Sequence, residues 1–172
     1  MTMSAATFGE RISGRSFGEL YERHAQDALG LAYLLTGDRG IAEDLMQEAF
    51  VKVARRFVHL RDHDAFGSYL RRSVVNLANS YFRRRAVERR HLAAQVQQQD
   101  GSPADPGDRV AIREAIARLP MRQRTALVLR YYEDLPEREI AELMGCRIGA
   151  VKQLVFRAMQ TLRGEFGEEE GP

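Results

Sequence analysis

The sixteen residues Ala93 to Asp108, AAQVQQQDGSPADPGD, constrain the chain more than any other stretch. Glutamines, two prolines and two glycines with little apolar content give a segment that reads as a flexible linker. It splits a chain of 172 residues, 44% of them hydrophobic, so the apolar side chains must build two small cores rather than one large one. On both sides of the linker the apolar residues recur with helical period, and neither strand-like alternation nor a solenoid-length repeat occurs. The expectation is an all-α chain of two small helical domains. Its parts are a disordered extension over 1–15, a helical domain over 16–90, a linker over 91–108, a second helical domain over 109–163 and an acidic tail over 164–172.

Charge follows the same division. Residues 1–90 carry 15 basic and 11 acidic side chains, 91–108 no cation and three acids, 109–163 eleven cations and six acids, and the last nine residues four glutamates. Two basic blocks separated by an acidic spacer suit a polyanionic partner. Only Lys52 and Lys152 are lysines, a bias that genome composition explains as readily as phosphate recognition. No run approaches the length of a membrane span and the amino terminus has no apolar signal core, so the expected compartment is the cytoplasm, with no membrane partner. Cys146 is the single cysteine, which excludes an internal disulfide and a multi-cysteine zinc site.

In the first block a helix opens at Ser16 and Glu19 in capping-box spacing, places Phe17, Leu20, Tyr21, His24, Ala28, Leu31 and Leu35 on one face, and stops at Thr36-Gly37. A second, about Arg39 to Phe57, turns Ala42, Met46, Ala49, Phe50 and Val53 inward and Asp44, Gln47 and Glu48 outward. A third begins near Phe66 with an apolar stripe of Phe66, Leu70, Val74, Leu77 and Tyr81. Its far side, Arg72, Asn76, Asn79 and Arg83, runs out into Arg84 and Arg85 and suits an anion.

Beyond the linker the pattern predicts helices over Arg109 to Leu119, Met121 to Tyr132 after Pro120, and Pro136 to Met144. The last is bracketed by a Leu135–Ile140 hydrophobic staple, a third-position Glu139 and a left-handed stop at Gly145. A fourth helix follows with Ile148, Val151, Val155, Ala158 and Leu162 inward and Lys152, Gln153, Phe156, Arg157 and Gln160 outward. Helix, glycine turn and helix with a polar outer face is a helix-turn-helix, whose second helix enters the DNA major groove.

These residues resemble a known family. Leu119 to Arg163, LPMRQRTALVLRYYEDLPEREIAELMGCRIGAVKQLVFRAMQTLR, is similar to region 4 of the extracytoplasmic-function sigma factors. Ala42 to Phe57, AEDLMQEAFVKVARRF, resembles region 2.2, and Phe66 to Arg85, FGSYLRRSVVNLANSYFRRR, resembles regions 2.3 and 2.4. The resemblance implies a transcription initiation factor that binds core RNA polymerase and promoter DNA, with an anti-sigma factor as a further candidate partner. It implies no enzymatic activity, no cofactor and no metal.

The resemblance also assigns roles. Asp44, Gln47 and Glu48 match the positions that contact core polymerase. Asn76 stands where a base of the minus-ten element is contacted, Val58 to Ala65 matches the loop lining its pocket, and Arg72, Arg83, Arg84 and Arg85 are placed to hold phosphates. For the minus-35 element the matching residues are Arg147, Lys152, Gln153 and Arg157. The chain departs from the family where Arg147 replaces a helix-starting serine or proline, Ala150 replaces a threonine, and Phe156 puts an aromatic on the outer face.

Three other features carry less. His59 and His63 with Asp62 and Asp64 lack a third strong ligand for a metal. Cys146 reads as a small packing residue, and Glu165, Glu168, Glu169 and Glu170 as a solvated tail. The alternative function is a free-standing dimeric helix-turn-helix regulator, which leaves residues 16–90 without a role. A nucleic-acid enzyme needs a carboxylate cluster, an activated nucleophile or a glycine-rich phosphate loop, and the sequence shows none of these.

Overall fold

The structure, a computed structural model, describes residues 17–57, 65–92 and 108–167. Seven helices account for them: α1 (Phe17–Thr36), α2 (Arg39–Phe57), α3 (Phe66–Leu92), α4 (Asp108–Arg118), α5 (Met121–Tyr131), α6 (Glu137–Met144) and α7 (Ile148–Phe166). No strand occurs among the described residues. The expected extension over 1–15, the Ser16 cap, the loop from Val58 to Asp64 with its histidines, most of the linker and the end of the tail lie outside them.

Helices α1 to α3 form a bundle around Phe50, which meets Phe17 edge-on at 6.2 Å, Tyr21 at 4.8 Å and Phe66 at 5.9 Å between ring centroids. Leu20, Leu31 and Leu35 of α1, Met46 and Val53 of α2, and Leu70, Val74 and Leu77 of α3 complete the core. Burial of each large side chain contributes about 1.5–3 kcal/mol. The α1–α2 junction is a local design. Gly37 takes a left-handed φ of 72°, and its N–H reaches the Tyr33 carbonyl at 2.7 Å. The Asp38 carboxylate then accepts the Ile41 N–H at 2.9 Å, capping α2.

In the second unit α5 is buried on every side from Arg124 to Leu129. The reason is its position, with α7 on one flank and α1 and α3 on the other. Leu135 and Ile140 are both buried at the entry to α6, and Gly145 stops the helix at φ 60° while its N–H turns back toward Ala141 and Glu142. Two local expectations fail. Glu139 closes no capping box, because the cap residue is Pro136, which has neither a side-chain oxygen nor an N–H to receive the carboxylate. Ile148 is 44% exposed rather than inward, because it is the first residue of α7, and the buried stripe of that helix starts at Val151.

The two units are not separate bodies. One buried cluster runs from the α1–α3 bundle through Val128, Leu129, Leu135, Ile140, Ala141 and Val151, and a smaller one joins Leu119, Leu127 and Ala158. Tertiary packing thus extends across a division that is sharp in sequence.

Candidate polymerase and nucleic-acid interfaces

Three exposed surfaces hold the residues singled out by sequence. On α2, Asp44, Gln47 and Glu48 all face solvent, with Glu48 paired to Lys52 at 2.9 Å one turn on. Val51, 47% exposed, continues the same stripe and gives the acidic face an apolar edge that the inward-outward pattern did not single out.

On α3, Arg72, Asn76 and Arg83 are exposed and Asn79 half-buried. At about 100° per residue they project from one side of the helix, and Tyr69 belongs to that stripe. Beside them Lys52 and Arg56 of α2 join Tyr69, Arg72, Ser73 and Asn76 around a cleft of about 180 Å³. Cations flanking an aromatic ring and an amide can hold phosphates, stack a base and pair with its edge. Arg85 is not brought to this face: it lies about half a turn round the helix, its guanidinium donating to the Tyr81 hydroxyl at 2.7 Å and stacked on that ring. Arg84 is exposed at the edge of the stripe.

On α7, Gln153, Phe156, Arg157 and Gln160 share an outer face, with Lys152 at its margin 3.6 Å from Glu137 and Arg147 capping the helix without a side-chain bond. Phe156 is 61% exposed, so it does not serve as packing for a neighbouring helix. Cys146 is half-buried against the core, in keeping with a packing role. Among the described residues no group of three His, Cys, Asp or Glu side chains could hold a metal, and no helix is long and apolar enough to cross a membrane.

Comparison with known proteins places this architecture. Residues 20–88 match Sigma-70 region 2, and residues 109–162 match Sigma-70, region 4. The chain is 32% identical to the RNA polymerase sigma-E factor of Streptomyces coelicolor, over 86% of this chain and 85% of that protein. It belongs to the extracytoplasmic-function sigma factors of the sigma-70 family. The RNA polymerase sigma-H factor of Pseudomonas aeruginosa is 27% identical over 89% of this chain and 87% of its own. In fold it matches the sigma factor RpoE of Bartonella quintana, solved in complex with the anti-sigma factor NepR. That match has a TM-score of 0.72 at 23% identity, covering 90% of this chain and 98% of that one.

As a sigma factor the chain directs promoter recognition, within a family of transcription initiation factors that are not enzymes. Region 2 is α1 to α3 and region 4 is α4 to α7. The alternative of a free-standing regulator falls away, because residues 20–88 match region 2. Sequence reasoning missed Tyr69, Lys52 and Arg56. Tyr69 could have been found from its spacing, three residues before Arg72 and seven before Asn76, whereas the two α2 cations reach the cleft only through the α2–α3 packing.

Proposed function

We propose that this sigma factor works in the cytoplasm through these three surfaces. Asp44, Gln47 and Glu48, edged by Val51, dock core RNA polymerase. Asn76 reads an unpaired base of the minus-ten element while Tyr69 offers a stacking surface and Lys52, Arg56, Arg72 and Arg83 hold the strand, with Arg84 and Arg85 contacting phosphates nearer the end of α3. Arg147, Lys152, Gln153 and Arg157 contact the minus-35 element along the major groove, Arg157 through phosphate. An anti-sigma factor is a further partner, as for the structural neighbour solved with one. The observation that carries the reading is the cleft where Tyr69, Asn76 and three cations converge on one side of α3.

Run-off transcription with core polymerase tests it. On a promoter with both elements, Lys152→Ala and Arg157→Ala should weaken initiation and lower its salt dependence, and Asn76→Ala should impair strand opening. On a template with the upstream element scrambled, the α7 variants should have no further effect while Asn76→Ala still does. Equal effects of all three on that template would refute the division of labour.

A further inference from the structure

Helix α3 outruns the core it helps to build. Its buried side chains lie between Phe66 and Ala78, whereas every residue from Arg83 to His91 is exposed. That stretch carries the helix on by about 13 Å without burying a side chain. Its sequence, RRRAVERRH, sets five arginines against one glutamate. Arg85 and Arg89 stand one turn apart as like charges, a repulsion that weakens a free helix and that a bound polyanion removes.

The cations are arranged around one apolar side chain. Val87 is 48% exposed and is the only residue of the extension with an aliphatic side chain larger than a methyl group. At 100° per residue Arg84 and Arg90, three positions before and after it, lie about 60° to either side, and Arg83 and His91 about 40° to either side. Arg89 falls on the back of the helix with Arg85, which is held on the Tyr81 ring. An apolar centre flanked by cations suits a helix in the major groove, where the centre meets base edges and the flanks meet phosphates of the two strands. Valine can neither donate nor accept a hydrogen bond, so its counterpart on a base edge is the thymine methyl.

The extension also continues the minus-ten stripe. Arg90 lies about 21 Å along the axis from Asn76 and within about 40° of it in rotation. The two ends of this stripe suit different forms of DNA. Beside Asn76 the cleft offers Tyr69 as a stacking ring, and stacking needs unpaired bases. From Arg83 to His91 there is no Phe, Tyr or Trp, only cations and small apolar side chains with one acid, which suit paired bases met from the groove. DNA is paired on the side of the minus-ten element that faces the minus-35 element.

We propose that the last turns of α3 form a further promoter-reading surface on the duplex immediately upstream of the minus-ten element, with Val87 meeting a thymine methyl in the major groove and Arg84 and Arg90 holding phosphates on either side. Resting on the role given to Asn76 above, this surface extends the readout from a captured base into the paired spacer. Promoters with a poor minus-35 element depend on it most.

Holoenzyme formed from the full chain tests it on a library in which the base pairs just upstream of the minus-ten element are randomised and both elements are fixed. Among transcribed templates thymine should be enriched at one position by about fourfold, the worth of burying one methyl group. Val87→Ala should erase that preference and leave helicity and transcription from a template without that thymine as in the parent. Arg84→Ala and Arg90→Ala should weaken binding of a fork junction, duplex upstream and single-stranded through the minus-ten element, whatever the duplex sequence, each lowering the salt slope by about 1. Trimming the duplex arm should remove the difference between these variants and the parent.

A library with no preferred thymine, or a preference that Val87→Ala retains, overturns the proposal. So does weaker binding of core polymerase by Arg90→Ala in the absence of DNA, which would make the extension a polymerase contact. Asn76→Ala separates the two readings. If it leaves strand opening intact while Val87→Ala still erases the thymine preference, the duplex contact stands and the role of Asn76 fails. If it impairs opening while the Val87, Arg84 and Arg90 variants behave as the parent, the duplex contact alone fails.

Discussion

The Arg124 guanidinium meets the Leu35 carbonyl at 2.6 Å, a bond between residues 89 positions apart that ties the two regions together. Burial lowers the pKa of this arginine, yet a guanidinium stays charged across the accessible range, so the cost of desolvation has to be offset by its acceptors. It has three carbonyls and an aromatic face, while its Nε, among the described residues, has no partner. Arg124→Met should therefore lower the unfolding free energy by on the order of 3 kcal/mol, because carbonyls that lose a charged donor stay buried. Arg124→Lys should recover less than half, since an ammonium cannot reproduce the planar fork. Urea unfolding of the three proteins decides; an unchanged midpoint in the Met variant would contradict the account.

The local architecture was legible because its causes are local. Gly145 needed only its place after an amphipathic run, and the inward faces of α2 and α3 follow from apolar spacing alone. Asp38 could have been read as a cap from its place between Gly37 and the α2 stripe. What the sequence could not reveal is where unlike faces meet. In MRQRTALVLR, Arg124 resembles its neighbours Arg122 and Arg130 as a solvated cation, and only the α5 contact with α1 and α3 buries it. The cleft beside Asn76 is half built by α2, so only its α3 side has a signature. Glu139 and Ile148 show that pattern rules fail at helix ends, where a proline at the cap or a place in the first turn changes the partners.

Core binding is expected to depend on charge at α2. Changing both Asp44 and Glu48 to lysine should abolish co-purification with core polymerase, while circular dichroism stays as in the parent because both side chains are exposed. The Glu48–Lys52 pair is exposed on both sides, and its loss should be close to neutral for folding. Normal core binding by the double variant would mean that this face is not the docking surface.

His24 provides a pH signature of region 2. Its ring packs on Phe66 with centroids 5.5 Å apart and lies 3.2 Å from where a Cβ on Gly67 would stand. Burial chiefly, and Arg23 after it, hold its pKa below the ordinary 6.5, with Asp27 opposing in smaller measure. The unfolded chain therefore takes up a proton on His24 before the folded one does. Stability should be level above pH 6.5 on this account and decline as the pH falls below it, and His24→Gln should flatten that decline. Chemical denaturation at stepped pH measures it; an identical decline in the variant would assign the effect elsewhere.

Phe156 is the aromatic on the outer face of α7, between Gln153 and Gln160 and 61% exposed. A ring so placed gains nothing from the helix-turn-helix core, so Phe156→Ala should leave thermal stability within about 0.5 kcal/mol of the parent. Its effect should appear in DNA recognition. An apolar ring in the major groove recognises the thymine methyl, the one apolar group on a base edge there, and loses that contact when the base is uracil. On minus-35 duplexes carrying single thymine-to-uracil changes, wild-type affinity should drop at one position and that of Phe156→Ala should not, whereas Arg157→Ala should lose affinity on every duplex alike because a phosphate contact carries no base information. A wild type indifferent to uracil at every position would remove Phe156 from base readout and leave its exposure to be explained by a protein partner.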